Sequence, residues 1–260
     1  MYESYETPEI QASIFYYEPE YTPTTPKRVF EILKQSGVFA SLHMGLDPLT
    51  NECMRENTPD TQELFVKAYT ESDALTLEWE NEESQETKEY IYFRWDPGFQ
   101  KRSQKMESNH TSWSIITFTI TYSLLKDLEW QKHFMECVRA LSHEVGAFFT
   151  KIEDMANGVE LLERIGIQRY EFTYIQQIYW GNYIGQHLLS EIRLDKLRKM
   201  DLPYYQETDE GVFFTLTDNV LDFNSKKCEA QRRRIRGLIK KRIPRRIVKK
   251  KSWNIIWKKR

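Results

Sequence analysis

The chain has 260 residues, 40% of them hydrophobic and 29% charged, with a formal net charge of −2. That length and apolar share are enough to bury a sizeable core without covalent staples. No run of about 18 apolar residues occurs, which excludes a membrane-spanning helix, and three widely spaced cysteines (Cys53, Cys137, Cys228) exclude a disulfide framework.

The net charge hides a division. From Lys226 to Arg260 there are 17 Lys and Arg and one acidic residue, Glu229, so this segment carries +16 and the preceding 225 residues carry −18. An acidic body with a basic tail suggests two kinds of partner, or a tail that folds back onto the body. The start, Met-Tyr-Glu-Ser-Tyr-Glu, has neither the basic nor the apolar part of a secretory signal. The expected location is the cytoplasm, with reduced thiols. The tail leaves a peripheral place at the membrane surface open.

In chain order, residues 1–26 hold five Glu, no Lys or Arg, and prolines at 8, 19, 23 and 26. They read as an acidic, proline-rich arm, with a strand at Ile14–Tyr17. Thr25-Pro26 suits a helix start, with Val29, Phe30 and Leu33 on one face. A short helix is expected at Gln62–Ala68. Leu75, Leu77 and Trp79 alternate with polar residues, as do Ile91, Phe93 and Trp95, which predicts a hairpin with a polar, acidic tip at 81–88. Ser112–Ser123 alternates Ile116, Phe118, Ile120 and Tyr122 with threonines, a strand with one buried face. Lys126–Val145 carries Leu128, Phe134, Val138, Leu141 and Val145 on one helical stripe, stopped by Gly146. A strand at Ala147–Ile152 and a helix at Met155–Ile165 follow.

The next unit predicts a strand at Tyr174–Trp180, a turn through Gly181 and Gly185, a helix to Met200, and a hairpin pairing Tyr204-Tyr205 with Val212–Leu216. Ala230–Ile243 predicts a basic helix that Pro244 ends. The fold class is α+β: a mixed, largely antiparallel sheet with helices packed mainly on one face. The domains are an arm at 1–26, a body at 27–225, and a basic helix and tail at 226–260.

Motifs with a known chemistry are missing. There is no His-x-x-x-His, Cys-x-x-Cys, Gly-x-Ser-x-Gly, phosphate-binding loop or dinucleotide fingerprint. The expectation is therefore no catalytic residues, no metal, no cofactor and no small-molecule substrate. Charge gives the binding candidates. Glu78, Glu80, Glu82, Glu83, Glu86 and Glu89 crowd the first hairpin. They read as a solvated strand edge or as a negative patch that steers a basic partner. Arg245, Arg246, Lys249, Lys250 and Lys251, with Trp253 and Trp257, could meet nucleic-acid phosphates and bases, or anionic lipid, or only solvent.

Tyr179-Trp180-Gly181-Asn182-Tyr183-Ile184-Gly185, a helix ending near Leu197, Pro203, and Gly211-Val-Phe-Phe-Thr-Leu-Thr-Asp-Asn together resemble the immunity proteins of bacterial polymorphic toxin systems. The likeness spans roughly residues 110–243, and the helix and strand at 126–152 fit the same layout. It implies a non-catalytic protein that binds and neutralises a cognate toxin. An acidic body would suit a basic, nuclease-type toxin. The alternative is a peripheral membrane or nucleic-acid-binding protein directed by the basic tail.

Overall fold

The computed structural model describes residues 9–17, 24–38, 43–46, 75–80, 90–96, 113–154 and 177–240, with positions 62, 63, 65–67, 69 and 175. Nine strands form one sheet: β1 (Glu9–Tyr17), β2 (His43–Leu46), β3 (Leu75–Glu80), β4 (Tyr90–Asp96), β5 (Trp113–Thr121), β6 (Ala147–Asp154), β7 (Gly181–Gly185), β8 (Tyr205–Thr208) and β9 (Gly211–Thr215). Their order is β2-β3-β4-β5-β1-β6-β7-β9-β8, and every pairing among the described strands is antiparallel. Among the described residues, the helices with continuous bounds are α1 (Thr24–Gln35), α2 (Leu128–Glu144), α3 (Gln186–Leu189), α4 (Leu194–Leu197) and α5 (Lys226–Arg236), and positions 62, 63, 65–67 and 69 are helical too. The expected α+β class, with a largely antiparallel sheet, holds.

The period-2 pattern of β5 sets the first core. Ile116, Phe118 and Ile120 stand in register with Ile14, Ala12 and Ile10 of β1, and with Trp95, Phe93 and Ile91 of β4. All nine are fully buried. Against them lie Val29, Phe30 and Leu33 of α1 and Phe134, Val138 and Leu141 of α2. Phe134 meets Phe118 edge-on at 5.8 Å, and a ring chain runs from Phe30 through Phe65 to Trp95. Each such side chain contributes roughly 1.5–3 kcal/mol by leaving water. The Trp95 indole N–H is satisfied by donating to the Tyr16 hydroxyl at 2.6 Å.

α2 begins where Asp127 accepts from the backbone N–H of Glu129 at 2.8 Å and of Trp130 at 3.4 Å, an N-cap placing a carboxylate at the positive helix end. It ends at Gly146, whose φ of +60° few side chains tolerate. Buried Gln131 then ties the helix to the chain beyond β9. Its amide donates to the Leu125 carbonyl and to Asn219 Oδ1 (2.8 Å) and accepts from the Val220 N–H (3.0 Å).

Towards the β7-β9-β8 end of the sheet, β7 and β9 are buried on both faces, and the edge strand β8 is largely exposed. Tyr183 and Phe213 share the α2 side with Thr150, whose hydroxyl meets Ser142 of α2 at 2.8 Å. Ile184, Val212 and Phe214 take the opposite side and are fully buried. There α3 lies over β6, β7 and β9, and Arg198, just after α4, grips Glu207 of β8. The two long helices thus share one face, and the short helical turns serve the other at this end.

Four expectations change. Glu9–Tyr17 is no arm: it is the middle strand of the sheet, between β5 and β6, because its own Ile10-x-Ala12-x-Ile14 alternation matches β5. The strand expected at 174–180 falls instead on Gly181–Gly185, which can pair because both its faces are buried. The helix expected to run to Met200 breaks between α3 and α4, where Ile192 forms a bridge to Ile239. That bridge also takes Leu238–Lys240 out of the last helix, which starts earlier, at Lys226, capped by Ser225. The expected helix at 155–165, the hairpin tip at 81–88 and the tail beyond 240 lie outside the described residues.

Candidate functional site

The Trp-Gly-Asn-Tyr-Ile-Gly stretch is a joint, built residue by residue. Trp180 is buried, and its indole N–H donates to Thr217 Oγ1 at 2.7 Å. Asn182, fully buried, uses its whole amide on one neighbour. Its Oδ1 accepts from the Tyr179 N–H at 2.9 Å, and its Nδ2 donates to the Tyr179 carbonyl at 3.0 Å. This pins the approach segment against the sheet, where the Tyr179 ring meets Phe149 and the Lys151 ammonium lies 5.3 Å from its centre. Tyr183 sends its hydroxyl to the Glu210 carbonyl at 3.2 Å, and burial, then the Glu210 carboxylate, pushes that phenol up to about 12. Gly185 is required by space: a Cβ there would overlap the Ala147 carbonyl oxygen and stand 2.9 Å from Phe148 Cα.

Beside the joint, α2 and the β8–β9 hairpin share a polar seam. Glu136 accepts from the Tyr204 hydroxyl, from Gln206 Nε2 at 3.3 Å and from Arg139 Nε at 2.9 Å. Partial burial alone would raise its pKa. The Tyr204 hydrogen bond and Arg139 outweigh that and hold it below the usual carboxylate range. The Tyr204 phenol is raised in turn, by burial and then by Glu136. One turn on, His143 Nε2 lies 3.1 Å from Glu210 Oε2. Through these contacts the seam fixes the hairpin to the helix. The sequence reasoning passed over it. Its signal was present as Glu136, Arg139 and His143 at helical spacing on the polar side of α2.

Glu78 and Glu80 lie on β3, opposite Tyr92 and Tyr90 of β4 and opposite Gly45 and His43 of β2. They are therefore not on an edge strand; β2 is outside them. Glu82, Glu83, Glu86 and Glu89 fall outside the described residues, as do Arg245, Arg246, Lys249, Lys250, Lys251, Trp253 and Trp257. Among the described residues no group of three or more His, Cys, Asp or Glu could hold a metal ion. No helix there is long and apolar enough to cross a membrane. The thiols of Cys137 and Cys228 are buried and held up in pKa chiefly by desolvation, Cys137 to about 12.

No known protein family matches the chain, and no curated protein does. Among solved structures it is similar to Pseudomonas aeruginosa T6SS protein PA0821, with a TM-score of 0.50 and 10% identity, over 80% of this chain and 68% of that one. At that identity the likeness is one of fold.

Proposed function

We propose that this protein is a non-catalytic binding protein that neutralises a cognate bacterial toxin, in the manner of an immunity protein. The observation that carries the reading is the excess of −18 on the first 225 residues, the part of the chain that supplies all nine strands of the sheet. An acidic surface attracts a basic protein from a distance and can occupy the site where that protein binds phosphates. The acidic stretch from Glu78 to Glu89 is the contact we assign, with the rim of the α2–hairpin seam beside Tyr204 and Tyr205 as the second. The resemblance around Tyr179–Gly185 supports the class, and so does the fold shared with a T6SS protein.

The test is coexpression in bacteria with each candidate toxin domain that the genes flanking this chain's gene encode. The chain should restore growth, and a variant with Glu82, Glu83 and Glu86 changed to Lys should restore it less. Equal killing with and without a well-expressed chain overturns the proposal.

A further inference from the structure

The basic character of the C-terminal region does not begin in the tail. Part of it is folded into the body. The segment from Glu191 to Asp201 and the segment from Gln231 to Lys240 are locked side by side. The Arg193 N–H donates to the Leu238 carbonyl at 3.0 Å, and the Lys240 N–H to the Glu191 carbonyl at 2.7 Å. Ile192 and Ile239 form the bridge between them, and Gln231 Nε2 donates to the Asp201 carbonyl at 3.2 Å. Together the two segments hold nine Lys and Arg against three acidic residues.

Not all of these cations are available. Glu207 takes Arg198, and Glu229 takes Arg232 and Arg233. Arg193, Lys196, Lys199, Arg234, Arg236 and Lys240 remain exposed and have no carboxylate partner among the described residues. Six exposed cations without an ion-pair partner among the described residues give this part of the surface a positive field that an anionic surface would meet. The backbone bonds above keep the two segments together, so the cluster is built into the fold and is not an accident of side-chain mobility.

We propose that this cluster is a docking surface for an anionic phospholipid membrane. One feature favours lipid over nucleic acid. The sequence that continues from Lys240 adds ten Lys and Arg and no acid, and carries Trp253, Ile255, Ile256 and Trp257. Cations with an aromatic and aliphatic group are the two signals that stable interfacial binding requires. The surface is independent of the toxin reading: it uses the basic segments, whereas that reading uses the acidic ones.

Flotation of the full chain with vesicles tests it, using phosphatidylglycerol and phosphatidylcholine in equal parts against phosphatidylcholine alone. The chain should float with the anionic vesicles only, and high salt should release it. Changing Arg193, Lys196 and Lys199 to Gln, or Arg234, Arg236 and Lys240 to Gln, should lower the partition coefficient on the order of 100-fold in either case. The Lys196→Arg and Lys199→Arg changes should leave it near native. All of these positions are exposed, so the thermal unfolding curve of each variant should match the native one. Native partitioning in both folded triple variants overturns the proposal, since the tail would then suffice. So does equal binding to neutral vesicles, or tighter binding to a DNA duplex than to the anionic vesicles.

Discussion

Gly185→Ala adds one methyl group at a place where backbone, not side chain, is in the way. Gly185 has φ −69° and ψ 162°, which any residue adopts, so the substitution carries no conformational penalty of its own. The added Cβ would overlap the Ala147 carbonyl oxygen, with Phe148 Cα at 2.9 Å and the Phe148 carbonyl oxygen at 3.1 Å. None of these atoms can rotate away without moving β6. Overpacking a tight interior costs about 1–3 kcal/mol, and backbone on one side puts this case at about 2–3 kcal/mol. In a domain of this size that lowers Tm by roughly 4–12 °C. Gly146→Ala is the control with the opposite cause: nothing lies within 4 Å of its Cβ, but φ is +60°, which costs about 1–2 kcal/mol. The two respond differently to Asn, which tolerates the left-handed region. Gly146→Asn should recover much of the loss, whereas Gly185→Asn should be worse than Ala. Thermal unfolding followed by tryptophan fluorescence measures all four. A Gly185→Ala protein within about 1 °C of native would refute the argument that strand approach dictates this glycine.

Three further predictions follow from the joint, the seam and the thiols. Asn182→Ala removes both bonds to the Tyr179 backbone and should cost about 2–4 kcal/mol in urea unfolding; a cost below about 0.5 kcal/mol would mean that the clasp is not needed. Glu136 has a depressed pKa in the folded state, so its contribution is present above the unfolded value of about 4.3 and is lost as pH falls through the folded value. The stability gap between native and Glu136→Gln should therefore be widest near neutral pH and close in acid; a gap independent of pH contradicts the assignment. In a Cys53→Ser variant, Cys137 and Cys228 should resist a thiol reagent until denaturant is added, and rapid labelling of the native protein would argue against their burial.

Legibility followed how far a segment's own pattern matched its surroundings. β5 and α2 were readable to within a few residues because their apolar periods, 2 and 3.6, are also their burial patterns. The β8–β9 hairpin was readable from its turn. β1 was only partly visible: Glu and Pro flank a strand whose role in the middle of the sheet is set by partners far along the chain, on β5 and β6. β7 contains two glycines and an asparagine, poor strand formers that pair here because β6 and β9 close around them. The break between α3 and α4 depends on the Ile192–Ile239 bridge, a contact that no local window contains. The same holds for the sites. The acidic stretch was visible as composition. The folded basic cluster was not, because its two halves lie about forty residues apart and are joined by long-range contacts, the Ile192–Ile239 bridge and the bonds of Leu238, Lys240 and Gln231.

The most direct test of toxin neutralisation is a binding titration of the full chain with a purified candidate toxin domain from the genes flanking its own, at low and at high salt. The account predicts tight binding at low salt, weakening as salt rises, with a further loss when Glu82, Glu83 and Glu86 are changed to Lys. Binding that neither salt nor these changes affect, or no binding at low salt, would contradict it.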